Sequence, residues 1–249
     1  MERGEARQIL DAWERGVDQA PARRALTVLE ELAPTAAGPA PDELSAGERD
    51  GALLATHMEL FGPTLDAVDE CPQCDERVEL AFDAGALWRH AIAARRDRET
   101  PAPIPIDVDG FRLRVRRLTA GDLVAAEDAS DPDAARAVML ERCVLEAARG
   151  PGPVATTELS EAAVAAVAEA LAAADPGAGL TLGMSCPACD HRWEETLDVG
   201  AFVWREVEAQ AVGLLHQVDT LARAYGWTES DVLRLSPRRR VVYAELAEA

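Results

Sequence analysis

The sequence predicts an α+β fold, mainly helical, with three short β-hairpins set between helices and one long helix in the C-terminal part. Three observations predict it. Only 4% of the 249 residues are aromatic while 48% are apolar, so Ala, Leu and Val must build the core, a composition that favours helices. A sixteen-residue stretch beginning at Cys71 recurs at Cys186, each copy reading as strand, tight turn, strand and helix start. Ile104, Ile106 and Val108, then Phe111, Leu113 and Val115, alternate with other residues across Asp109–Gly110, the pattern of a hairpin with a two-residue turn.

In chain order, Ile9, Leu10, Trp13 and Val17 give a first helix, about residues 5–15, one apolar face. Pro21 opens a second helix, which presents Leu26, Leu29 and Leu32. Residues 33–43, rich in Pro, Ala and Gly, read as a loop. Ser45 with Glu48 forms a capping box for a helix that ends near Gly62–Pro63. The first strand–turn–strand unit covers 64–83, and Asp83 caps a helix to about Arg96. PAPIP is extended or looped, and the hairpin 104–115 follows. Thr119 with Asp122 starts a short helix, and Asp131–Pro132 starts another that is predicted to run to about Gly150. After a linker at 150–156 comes an Ala-rich helix from Ser160 to Ala174, stopped by Asp175–Pro176–Gly177. The second strand–turn–strand unit spans 180–197. Asp198 then caps a long helix to Tyr225, with Gly226 as its stop. Thr228–Asp231 and Ser236–Pro237 open two final helices, whose Val232, Leu233, Leu235, Val241, Val242 and Leu246 are expected to return to the core.

The repeat carries the chemistry. CPQCDERVELAFDAGA and CPACDHRWEETLDVGA share nine of sixteen positions, including both Cys, the Pro between them, the capping Asp and the Gly–Ala that opens the helix. One inserted residue later, Trp88–Arg89 matches Trp204–Arg205. C-x-x-C lets two thiolates converge on one ion while the turn's N–H groups point at sulfur, and Pro after the first Cys pre-sets the turn. Two such pairs complete the tetrahedral Cys₄ shell of structural zinc. The expectation is one structural Zn²⁺ held by Cys71, Cys74, Cys186 and Cys189, in a split zinc-ribbon-like core of two β-hairpin knuckles. His191 is an alternative ligand, loss of the metal from both knuckles is the bland alternative, and a redox CxxC is disfavoured because both pairs lead into strands rather than helix starts. The fifth cysteine, Cys143, lies among Met139, Leu140 and Val144 and reads as a buried free thiol.

Other chemistry is not indicated. The sequence has no Walker loop, GxGxxG, HExxH or nucleophile elbow, and its four His are scattered, so no catalytic residue is assigned and no enzyme activity is expected. A net charge of −20 opposes nucleic acid or an anionic membrane as the main partner. No apolar run reaches the ~20 residues of a membrane span, and MERGEARQIL lacks a signal-peptide core, so a cytoplasmic protein is expected. Arg112, Arg114 and Arg116 share one strand face, which reads as a solvated face or as a docking surface for an acidic protein, and they are candidate partner-binding residues. Along the long helix, Trp204, Val207, Ala211, Leu214, Val218, Leu221 and Tyr225 are spaced as a heptad seam, which packs on this chain's own helices, on a partner or on a second copy.

The tail WREVEAQAVGLLHQVDTLARAYGWTESDVLRLSPRRRVVYAEL resembles the C-terminal part of the phage-type baseplate hub assembly chaperone family, most specifically in Tyr225-Gly226-Trp227-Thr228, Asp231-Val232-Leu233 and Tyr243. WERGVDQAPARRALTVLEEL and LFGPTLDAVDECPQC resemble relatives from gene clusters of contractile injection systems. The resemblance implies a non-catalytic assembly factor with baseplate, hub or spike proteins of a contractile tail as partners, and adds Tyr225 and Trp227 as candidate partner-binding residues. The phage members do not clearly carry two CPxC knuckles. The organisation expected is residues 1–63 as a helical region, 64–100 as the first knuckle unit, 101–179 as an inserted hairpin and helices, and 180–249 as the second knuckle unit with the long helix and tail. The rival readings are a zinc-ribbon nucleic-acid-binding or transcription-associated protein, and a metalloenzyme, which would need an open metal position.

Overall fold

A computed structural model describes residues 5–33, 38–96 and 103–248. The loop expected at 33–43 and the PAPIP segment lie partly outside the described residues. The elements, in order, are α1 (Glu5–Gly16), α2 (Pro21–Leu32), α3 (Ala46–Leu60), β1 (Thr64–Glu70), β2 (Arg77–Asp83), α4 (Ala84–Arg96), β3 (Ile104–Val108), β4 (Phe111–Val115), α5 (Ala120–Glu127), α6 (Pro132–Cys143), β5 (Val144–Arg149), β6 (Gly152–Pro153), α7 (Glu161–Ala174), β7 (Thr181–Ser185), β8 (Arg192–Thr196), α8 (Val199–Tyr225), α9 (Glu229–Leu233) and α10 (Pro237–Glu248). The fold is α+β with small antiparallel sheets and a long helix near its C-terminal end.

Helix starts follow side-chain chemistry. Ser45 Oγ accepts from Glu48 N, and the Glu48 carboxylate accepts from Ser45 N at 3.0 Å, a complete capping box. The duplicated units share one cap: Asp83 accepts from Ala86 N at 3.1 Å, and Asp198 accepts from Ala201 N at 2.9 Å. α8 stops at Gly226, whose φ of 67° is the left-handed value that costs glycine least.

Two cores follow. The larger joins Ile9, Val28, Leu29, Leu53 and Leu54 to the inner face of α8, where Trp204, Val207, Ala211 and Leu214 are buried. The seam of α8 therefore packs largely on this chain's own helices, although Tyr225 at its end is 42% exposed. The bases of both knuckle hairpins enter this core, β1 and α4 through Leu65 and Ala84, the second unit through Leu180 just before β7 and Val199 of α8. The helical body thus fixes where both hairpins leave it. The smaller core packs Phe111, Leu113 and Val115 on Val144, Ala163 and Val167.

Two expectations need correction. The helix from Pro132 ends at Cys143 rather than near Gly150, because Val144–Arg149 pairs antiparallel with β4 and widens the hairpin to a four-stranded sheet, β3-β4-β5-β6. The linker at 150–156 accordingly contains a tight turn through Gly150 and the short β6. The last helix does not return its apolar residues to the core. Val241, Val242 and Leu246 are 44%, 47% and 62% exposed, because Arg240 takes the inward position instead. Arg240 is buried and donates to Leu235 O at 3.0 Å and to the Gln217 side-chain oxygen at 3.2 Å.

Candidate metal centre

Each knuckle is a six-residue turn between two strands in full antiparallel register, Glu70 opposite Arg77 and Ser185 opposite Arg192. The turns have the same backbone. Cys71 N donates to Glu76 O and Asp75 N donates to Cys71 O, both at 2.9 Å. Cys186 N donates to His191 O at 2.9 Å and Asp190 N to Cys186 O at 3.0 Å. Asp75 and Asp190 both take positive φ, 58° and 56°, a conformation Asp tolerates better than most residues. The duplicated Asp after the second Cys is therefore the residue that turns the chain back into the second strand.

The two turns meet tip to tip. The sulfurs of Cys71, Cys74, Cys186 and Cys189 all lie within 4.8 Å of one another, and Cys71–Cys189 and Cys74–Cys186 are each 3.7 Å apart. Four sulfurs at ~2.3 Å from a tetrahedral metal are separated by ~3.8 Å from each other. These separations fit a single ion with one thiolate from each corner. Cys71 and Cys186 are buried, while Cys74 and Cys189 are exposed. Val78, Leu80 and Trp193 pack against the two buried sulfurs.

Electrostatics points the same way. Burial alone would raise the Cys186 thiol, but the N–H groups of Ala188 and Cys189 and the Cys74 thiol outweigh it and bring Cys186 down to about 7. At Cys74 the Glu76 N–H favours the thiolate, yet the sulfurs of Cys189, Cys186 and Cys71 push it up to about 12. Four thiols at this spacing cannot all ionise by themselves, whereas a divalent cation at their centre removes the repulsion. The donor set fits one metal ion. His191 stands apart from the sulfur cluster, its ring stacked on Trp193 at 6.0 Å between centroids.

The other residues singled out in the sequence lie elsewhere. On the β4 face, Arg112 donates to Gly150 O at 2.7 Å and Arg114 to Glu146 at 2.8 Å. Arg116 is bidentate on the buried carboxylate of Asp122, at 2.6 and 2.9 Å. Asp122 also accepts from Arg142 Nε at 2.6 Å and from Thr119 N at 2.9 Å. Burial alone would raise this carboxyl, but Arg116, the Thr119 N–H and Arg142 hold it well below the usual carboxylate range. Asp122 is legible in sequence as a cap for Thr119, but its partnership with Arg142 depends on the turn from α6 into β5. Cys143, beside it, is buried, and desolvation followed by the Asp122 charge pushes its thiol up to about 11, which makes it a poor nucleophile. Tyr225 and Trp227 stack at 4.8 Å, and Tyr243 meets both edge-on.

The class defined by fold and site is a mainly helical α+β protein with a four-cysteine centre able to hold one metal ion. No family model, curated protein or solved structure matches the chain. Among the described residues no helix is long and apolar enough to cross a membrane.

Proposed function

We propose that this chain is a non-catalytic, zinc-stabilised protein-binding factor in assembly of the baseplate or hub of a phage-like contractile tail or injection system. The observation that carries the metal half is the convergence of four sulfurs from two duplicated knuckles 115 positions apart. An all-thiolate tetrahedron selects zinc or iron, and a set of four leaves no position for water or substrate, which suits a structural ion. When bound, the zinc would join the two hairpins and fix the helices that follow them, α4 and α8. The assembly half is supported by the tail resemblance around Tyr225-Gly226-Trp227-Thr228, residues that here form a compact aromatic corner. Contacts to a partner would come from faces held in fixed relation by this centre.

Purified, reduced protein is expected to carry one zinc per chain by elemental analysis. A coloured, iron-loaded protein would overturn the choice of zinc, and metal-free protein would overturn the centre itself. Co-expression of the zinc-loaded chain with baseplate, hub and spike subunits from its own gene neighbourhood is expected to yield a stable complex with one of them. Failure with all of them, or salt-dependent DNA binding instead, would refute the assembly reading.

A further inference from the structure

α10 is turned the wrong way round for a helix that closes a core. Arg240 faces inward, fixed to Leu235 O and Gln217. At 100° per residue the side opposite Arg240 carries Arg238, Val242, Glu245 and Leu246. All four are exposed, Val242 at 47% and Leu246 at 62%. Nearby arginines are already satisfied, Arg223 by Asp219 and Arg234 by Asp231. Among the described residues, Arg238 and Glu245 have no ion-pair partner.

We infer that this face is a self-complementary contact through which two copies of the chain pair, α10 antiparallel to α10. Charge placement along the helix makes the face match its own copy. Arg238 lies four residues before Val242 and Glu245 three residues after it, about 6 Å and 4.5 Å along the axis. When two such helices run antiparallel about a two-fold axis at Val242, Arg238 of one copy lies within about 1.5 Å of the level of Glu245 of the other, on the same side of the pair. The symmetry makes this ion pair twice. Val242 meets its own copy between them, and Leu246 covers the stem of Arg239. A parallel arrangement would set Arg238 against Arg238, so the strip selects one orientation. It is also a charge-balanced apolar surface on a chain of net charge −20, whose copies otherwise repel. One helix face falls below the ~1,200 Å² of a stable interface, so the pair is a transient dimer that forms at high local concentration. The inference is independent of the metal centre and of the partner class.

The test is sedimentation velocity of the whole chain as purified under reducing conditions, titrated up to about 1 mM at ~0.15 M salt, where charges more than ~8 Å apart are screened. Concentration-dependent dimerisation is expected. Val242→Glu and Arg238→Glu should each weaken it by more than about ten-fold, and combining Arg238→Glu with Glu245→Arg should restore it. All four residues are exposed, so an unchanged far-UV circular dichroism spectrum and thermal transition serve as the check that each variant is folded. A wild-type chain that stays monomeric over the whole range overturns the proposal. So does a dimer indifferent to Val242→Glu, or a reversed charge pair that fails to recover association.

Discussion

Stripping the metal from the four-cysteine centre should release the knuckles and leave the helical body intact. Without a metal, the hairpin tips are joined, among the described residues, by a small apolar cluster in which Val78 is buried and Leu80 and Trp193 are partly covered. Such a contact contributes about 2–4 kcal/mol. Against it stands the backbone ordering of two six-residue turns, 71–76 and 186–191, which costs on the order of 12 kcal/mol at ~1 kcal/mol per residue. The shortfall of about 8–10 kcal/mol is close to the ~10–16 kcal/mol that structural zinc provides in small modules. The larger core, by contrast, takes only the bases of the hairpins and needs no metal. Hydrogen exchange on chelator-treated, reduced protein, or on Cys74→Ser, reads this directly. Protection at the Cys71, Asp75, Cys186 and Asp190 amides, each hydrogen-bonded within its turn, should fall to that of open chain. Protection along the middle of α8 should persist. Knuckle amides that stay protected in verified metal-free protein would refute the reasoning.

Three further outcomes are expected. Asp122→Ala removes the buried carboxylate that Arg116 and Arg142 share and should cost about 1–3 kcal/mol by urea denaturation. Because that carboxyl titrates lower when folded, its contribution is present above the ordinary carboxylate range and lost as pH falls below about 4, a slope the variant should lack. His57 is buried between Phe61 and Phe202, and desolvation holds it neutral below its ordinary 6.5. The unfolded chain therefore takes up the proton first, and stability should fall as pH drops below about 6.5, an effect that His57→Phe removes from the pH profile of the urea midpoint. A Cβ at Gly47 would stand 2.5 Å from Asp175 Oδ1 and 2.7 Å from the Gly177 carbonyl carbon, so Gly47→Ala should cost about 1–3 kcal/mol in the same assay.

Where a single local interaction decides an element, the sequence was sufficient. The boxes at Ser45 and Thr228, the Asp83 and Asp198 caps and the Gly226 stop all lie where expected, because each depends on residues within one turn. The sulfur cluster was legible for a different reason, since duplication supplied a second witness for each ligand. β5 was not legible. MLERCVLEAAR is rich in good helix formers, but propensity is a weak preference, and the open edge of β4 takes Val144–Arg149 as a strand. Arg149 then lies over the Phe111 ring at 4.8 Å, a contact without any local signature. The inward face of α10 is illegible for a related reason. Its apolar residues suit an inward face, and nothing nearby in the sequence announces that a buried arginine will claim that side.

The separation of the two knuckles along the chain has a consequence for synthesis. At ~5–20 residues per second, roughly 6–23 s pass between emergence of Cys71 and emergence of Cys186 from the ribosome. Throughout that interval the first pair of thiols can close only half a coordination sphere, exposed to oxidation or to a borrowed ligand from another nascent polypeptide. Capture of an ion by all four sulfurs would thus be a late event in biogenesis, open only to a molecule in which translation has passed the second CPxC.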